Sequence, residues 1–126
     1  MFSPAYNAAV EFAAAIIKGV KESGYEMDYP LGQLISESAC IGEKLLSAEI
    51  SKELVPGHKF QSNLEESYKD GIRYLYLSLY WIEILETSGC YSQIPFPSIK
   101  EKWETLQGLL RSGMKVFELM LGKGKF

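Results

Sequence analysis

Residues 72–85 read IRYLYLSLYWIEIL, a stretch with almost no polar side. Two periods compete in it. Leu75, Leu77 and Leu79 alternate with Tyr74, Tyr76 and Ser78, as side chains on a strand would. Against a strand, β-branched residues are few and no turn signal interrupts 62–88. The flanks, NLEESYKD and EILETSG, are good helix formers that stop at Gly89. The stretch therefore reads as a helix. It is too short for a membrane span, and Arg73 and Glu83 sit inside it.

As a helix, 62–88 carries two apolar stripes. One holds Leu64, Tyr68, Ile72, Leu75, Leu79 and Ile82; the other holds Tyr74, Leu77, Trp81, Ile84 and Leu85. A surface helix of a monomer needs one apolar face, so the second asks for a second partner, most simply another copy of the chain. Its side chains would form a patch on the order of 500 Å², at the limit that monomers tolerate. The sequence alone leaves open which stripe faces the core and which the neighbour.

Three more helices flank this one. Ser3 before Pro4 is a helix start, with the hydroxyl free to cap and proline at the first helical position. Over 4–22, the residues Ala5, Ala8, Ala9, Phe12, Ile16 and Val20 share a face, and Gly24 ends the run. Asp28 and Pro30 frame the second start. Leu31, Leu34, Ser38, Ile41, Leu45 and Ala48 then follow steps of three and four, a bundle seam, until Pro56 and Gly57. The break at 89–97 contains two prolines and reads as irregular. Ser98 is the expected cap of the fourth helix, with Glu101 in the capping-box position. Its stripe is Ile99, Trp103, Leu106, Leu110, Gly113, Phe117 and Met120. Short breaks between long helices make successive helices antiparallel neighbours. The expected fold is all-α: a single domain over 1–126, an antiparallel up-down-up-down four-helix bundle. Of the mid-helix glycines, Gly42 is the expected point of close helix contact.

A chain of 126 residues can bury roughly two-thirds of its unfolded surface, enough for one core. Its formal charge of −3 gives no general drive toward nucleic acid or anionic membrane. Lys115, Lys123 and Lys125 are the best local basic candidates. The start, MFSPAYNAAVEF, lacks the basic and apolar regions of a signal peptide, so cytoplasmic residence is the default expectation. Cys40 and Cys90 fit free thiols better than a disulfide framework.

The inventory for chemistry is thin. A di-iron bundle needs Glu-x-x-His pairs on two helices, whereas the chain has one histidine, His58, expected in a loop. Glu65, Glu66 and Asp70 read as a solvated face. Cys40 has no histidine partner in view, and the terminal GKGK has no strand before it to make a phosphate loop. The expectation is no enzyme, no metal and no cofactor. Nucleic-acid binding is the rival: Tyr74, Tyr76, Tyr80 and Trp81 could stack bases, with Lys44 and Arg73 as the cations. Glu83 and Glu86 lie close by and weaken that reading.

Two segments carry a resemblance. LGQLISESACIG at 31–42 resembles the second-helix signature of the small bacterial four-helix proteins encoded in intervening sequences of large-subunit ribosomal RNA. YWIEIL at 80–85, followed by TSGCY at 87–91, is similar to their tyrosine-tryptophan helix end and glycine-tyrosine stop. The accessory proteins of diversity-generating retroelements are more distant kin. The resemblance covers about 31–91 and implies a ring-like homopentamer with no enzyme activity. It also leaves RNA, or an enzyme acting on nucleic acid, as a partner to consider. The chain departs from the pattern at Lys44, at Leu46 and Ser47, and at Leu77, Ser78 and Leu79, where the family usually has polar or charged residues. Apolar replacements favour buried surface over a polar site. The candidate subunit interface is Tyr74, Leu77, Trp81, Ile84 and Leu85; the membrane is not an expected partner.

Overall fold

The structure, a computed structural model, describes the backbone at 3–54 and 57–125 and the side chains at 3–50 and 64–115. Four helices account for nearly all of it: α1 (Pro4–Ser23), α2 (Tyr29–Leu54), α3 (Gly57–Ser88) and α4 (Phe96–Lys125). No strand occurs among the described residues, and no helix there is long and apolar enough to cross a membrane.

The first helix starts and stops where its sequence says. The Ser3 hydroxyl accepts from the Tyr6 N–H at 3.1 Å, which satisfies one of the first-turn donors, and Pro4 fills the first helical position. At the other end Gly24 takes φ of 79°, a left-handed cap that a side chain would strain. Asp28 caps α2, its Oδ1 accepting from the Leu31 N–H at 3.0 Å.

Two other boundaries differ from expectation. Helix α3 begins at Gly57, five residues before 62, so the backbone at His58 is helical and not a loop; its side chain and Pro56 lie outside the described residues. Helix α4 begins at Phe96, so Ser98 sits inside the first turn and does not cap. Proline lacks an N–H, and the first helical turn does not need one, so Pro97 is tolerated there and the irregular break ends at Pro95.

The helices form a closed order: α1 packs on α2 and α4, α3 packs on α2 and α4, and among the described residues the diagonal pairs do not meet. The seams expected for α1 and α2 are buried in full, and on α4 so are Ile99, Trp103, Leu106 and Leu110. Phe117 and Met120 lie outside the described side chains. On α3 the buried line is Gly71, Leu75, Ser78, Ile82 and Leu85, in steps of four and three. Leu64, Tyr68, Ile72 and Leu79 flank it half-buried. The first apolar stripe thus faces the core, with three changes: Gly71 and Ser78 join it, and Leu85 moves to it from the second stripe.

Ser78 and Ser38 are fully buried, yet neither is a polar group without a partner. Each hydroxyl donates back to its own helix, Ser78 to the Tyr74 carbonyl at 2.8 Å and Ser38 to the Ile35 carbonyl at 2.9 Å. Among the described residues, α2 and α3 make the most extensive helix pair. At Gly42 a β-carbon would only touch the Ala9 methyl, at 4.0 Å. The tighter approach is on α4, where a β-carbon at Gly113 would lie 2.7 Å from the Tyr68 ring.

Candidate interaction surface

Along the outer side of α3, apolar side chains remain in water. Leu77 is 36% exposed, Ile84 37% and Tyr80 57%. Steps of three and four from Leu77 through Tyr80 and Trp81 to Ile84 place them on one ridge, opposite the buried line. Trp81 lies at the ridge's inner edge, half-buried against the core. Its ring meets Tyr29 of α2 edge-on at 5.8 Å and Tyr80 at 5.3 Å, geometry that aromatic quadrupoles favour. Tyr29 is 69% exposed, so the ridge continues onto the start of α2.

Of the five candidate interface residues, the structure brings Leu77, Trp81 and Ile84 together at the surface. Tyr74 is half-buried and packs on the core. Leu85 is 1% exposed and has no surface left to give a neighbour. Tyr80 and Tyr29 are the residues that sequence reasoning left out. Tyr80 was legible from its step of three beyond Leu77; Tyr29 was not, because only the fold brings the start of α2 beside Trp81.

The two candidate cations do not make a basic groove. Arg73 pairs with Asp70 on its own helix at 3.4 Å. Lys44 is half-buried on α2, and Glu66 and Glu83 are exposed on α3. Lys100 of α4 forms an ion pair with Glu86 and sits 4.0 Å from Glu83. Tyr76 is also committed: its hydroxyl accepts from Gln107 Nε2 at 2.8 Å and from Arg111 at 3.1 Å, which pulls its pKa below the usual phenol value. The Cys40 thiol is pushed up, first by burial and then by Glu43 and Glu37, opposite to the shift that makes a reactive thiolate. Among the described residues no three His, Cys, Asp or Glu side chains gather as a metal site requires.

A second apolar surface lies between α1 and α2. It is a hollow of about 410 Å³ whose lining includes the small residues Ala13, Ala14, Ala39 and Gly42 together with the exposed Val10 and Ile17.

One end of the molecule is closed by a polar and aromatic knot. Tyr91 donates to Asp28 Oδ2 at 2.5 Å while Asp28 Oδ1 caps α2, so one carboxylate joins two connections. The Gln93 N–H donates to the Tyr25 hydroxyl at 3.1 Å, and the Tyr25 and Tyr91 rings meet edge-on at 5.3 Å. The bond to Asp28, ahead of burial and nearby charge, pushes the Tyr91 pKa up to about 12. The folded state therefore holds the phenol proton more tightly than the unfolded chain. The stability this tie contributes is complete below about pH 10 and is lost as pH rises toward 12. Tyr91→Phe is expected to cost about 1 kcal/mol at neutral pH. Melting curves taken from pH 8 to 12 should show wild type falling toward the variant over the upper two units; parallel curves would sink the assignment.

Searches of protein-family models, curated proteins and solved structures gave no match to this chain.

Proposed function

We propose that the chain is a non-enzymatic scaffold, an antiparallel up-down-up-down bundle that associates with copies of itself through the outer face of α3. The observation that carries this reading is the exposed ridge of Leu77, Tyr80 and Ile84, backed by the half-buried Trp81 and extended by Tyr29. Solvent gains nothing from such a ridge, whereas a second protein surface removes it from water at about 25 cal/mol per Å².

The antiparallel order is supported by how partners step along the helices. Ser3 bonds to Glu49 and Ala9 faces Gly42; Tyr29 meets Trp81 and Leu45 faces Gly71; Glu86 meets Lys100, Tyr76 meets Gln107, and Tyr68 faces Gly113. In each pair one number rises as the other falls. The resemblance to the ribosomal-RNA intervening-sequence proteins adds five as the expected subunit number and the cytoplasm as the expected compartment.

The test is light-scattering mass on a sizing column, with wild type and Ile84→Glu compared. Wild type is expected at a multiple of the 14.2 kDa chain, five if the resemblance holds. Ile84 is a surface residue of its own chain, so the variant should keep its helical circular dichroism. It should lose the assembly, with association weakened by roughly thirtyfold or more, as for a hot-spot contact of about 2 kcal/mol. A monomeric wild type would overturn self-association and leave the ridge to a different protein.

A further inference from the structure

The ridge on α3 and the hollow between α1 and α2 differ in shape and lie on different helix pairs. The ridge is made of Leu77, Tyr80, Trp81 and Ile84; the hollow has alanine and glycine for half of its lining, with Val10 and Ile17 also lining it and exposed. The geometry points to a head-to-tail contact in which the ridge of one copy seats in the α1–α2 hollow of the next. This rests on the self-association proposed above and names the surface that receives the ridge.

Three observations carry it. The first is coverage. A two-fold contact of ridge on ridge sets bulky rings against bulky rings and leaves the hollow in water, whereas a head-to-tail contact covers both surfaces with one interface. The second is charge. Glu43 lines the hollow beside Gly42, which faces Ala9, and Lys21 lines the adjoining hollow that shares Ile17. Arg73 stands one turn before Leu77, and Glu83 stands beside Ile84. With α3 laid along α1 in the same direction, Arg73 comes level with Glu43 and Glu83 with Lys21, each alongside the ion pair it already makes in its own chain, with Asp70 and Lys100. Arg73 and Glu83 are about 15 Å apart along their helix, and Ala9 and Lys21 about 18 Å along theirs, a difference that long side chains absorb. The third is area. The exposed apolar part of the ridge, with Tyr29, is on the order of 400 Å². One side of a standard interface buries about 800 Å², somewhat more than half of it apolar, so the ridge supplies what one partner needs.

In a head-to-tail contact every copy presents one ridge and one hollow. The rotation between copies then decides between a closed ring and an open filament.

Complementation tests this directly. Ile84→Glu spoils the ridge and leaves the hollow intact. Ala14→Glu spoils the hollow and leaves the ridge intact, at an exposed helical position that accepts glutamate well. Each variant alone is expected to run as a monomer. An equimolar mixture is expected to give a species of twice the 14.2 kDa chain mass and nothing larger, because one good ridge and one good hollow remain between the two. If Ala14→Glu assembles like wild type while Ile84→Glu does not, ridge meets ridge and the inference is wrong, although self-association stands. A mixture that stays monomeric also overturns it. A monomeric wild type removes self-association itself. Leu77→Lys and Val10→Lys form a second pair, used in place of any variant that loses its helical circular dichroism.

Discussion

Trp103→Ala is expected to destabilise the fold by about 3–5 kcal/mol, a large share of what a domain of this size has. Trp103 is buried where α4 crosses α3, and its indole N–H donates to the Leu75 carbonyl at 2.8 Å. Its ring also takes the edge of Tyr76 at 5.5 Å, and Tyr76 in turn holds Gln107 and Arg111. Truncation removes a large apolar volume and the one buried side-chain bond described between these helices. Trp103→Phe separates the two effects. It keeps most of the packing and should cost only the hydrogen bond, about 1 kcal/mol, plus part of the lost ring. Urea unfolding at one fixed protein concentration measures both, because self-association would make the midpoint concentration-dependent. A Trp103→Ala midpoint within 1 kcal/mol of wild type would mean that α4 does not depend on this contact.

The second large effect separates two isoleucines only two positions apart. Ile82→Glu should abolish cooperative unfolding. Ile82 is fully buried on α3, and no cation faces it among the buried residues, so the new carboxylate must either stay protonated or break the packing. The cost of several kcal/mol is comparable to the whole stability of a small domain. Ile84→Glu should instead keep the transition, with a change in chain stability of under about 1 kcal/mol, because its side chain is 37% exposed and lies off the buried line. Thermal melts followed by circular dichroism give the comparison. Similar damage from both would mean that α3 has one apolar face and that the ridge belongs to the core.

Much of this architecture was legible as periodicity. The seam of α2 repeats at three and four residues throughout, that of α1 does so apart from the adjacent Ala8 and Ala9, and capping chemistry marked Ser3, Gly24 and Asp28. Boundaries failed where proline carries two meanings. Pro56 and Gly57 rightly divide α2 from α3, but α3 resumes at Gly57 and not at 62, and Pro97 read as loop although the first helical turn accepts it. On α3 the reading failed at Ser78, because a hydroxyl that bonds to its own helix is polar in composition and neutral in packing. Leu85 failed for a related reason: at the border of two stripes, the neighbouring helices decide the side, and the sequence of α3 does not contain them. The hollow between α1 and α2 was beyond reach altogether. Small residues at a seam can let two helices close up or can leave a gap, and only the packing of larger neighbours decides which.

The closed order of the helices also has a consequence in time. The most extensive contact, α2 on α3, joins helices adjacent in sequence, and it can form as soon as a short connection closes. The contact of α1 with α4 joins the two ends of the chain and must wait for everything between them. Loop closure over so long a span is entropically costly until the middle is compact. The α2–α3 hairpin is therefore expected to act as the folding nucleus, with α1 and α4 docking late. During synthesis α1 emerges first, yet its face around Gly19, which packs on Pro95 and Ile99, stays unpaired until the last helix is made.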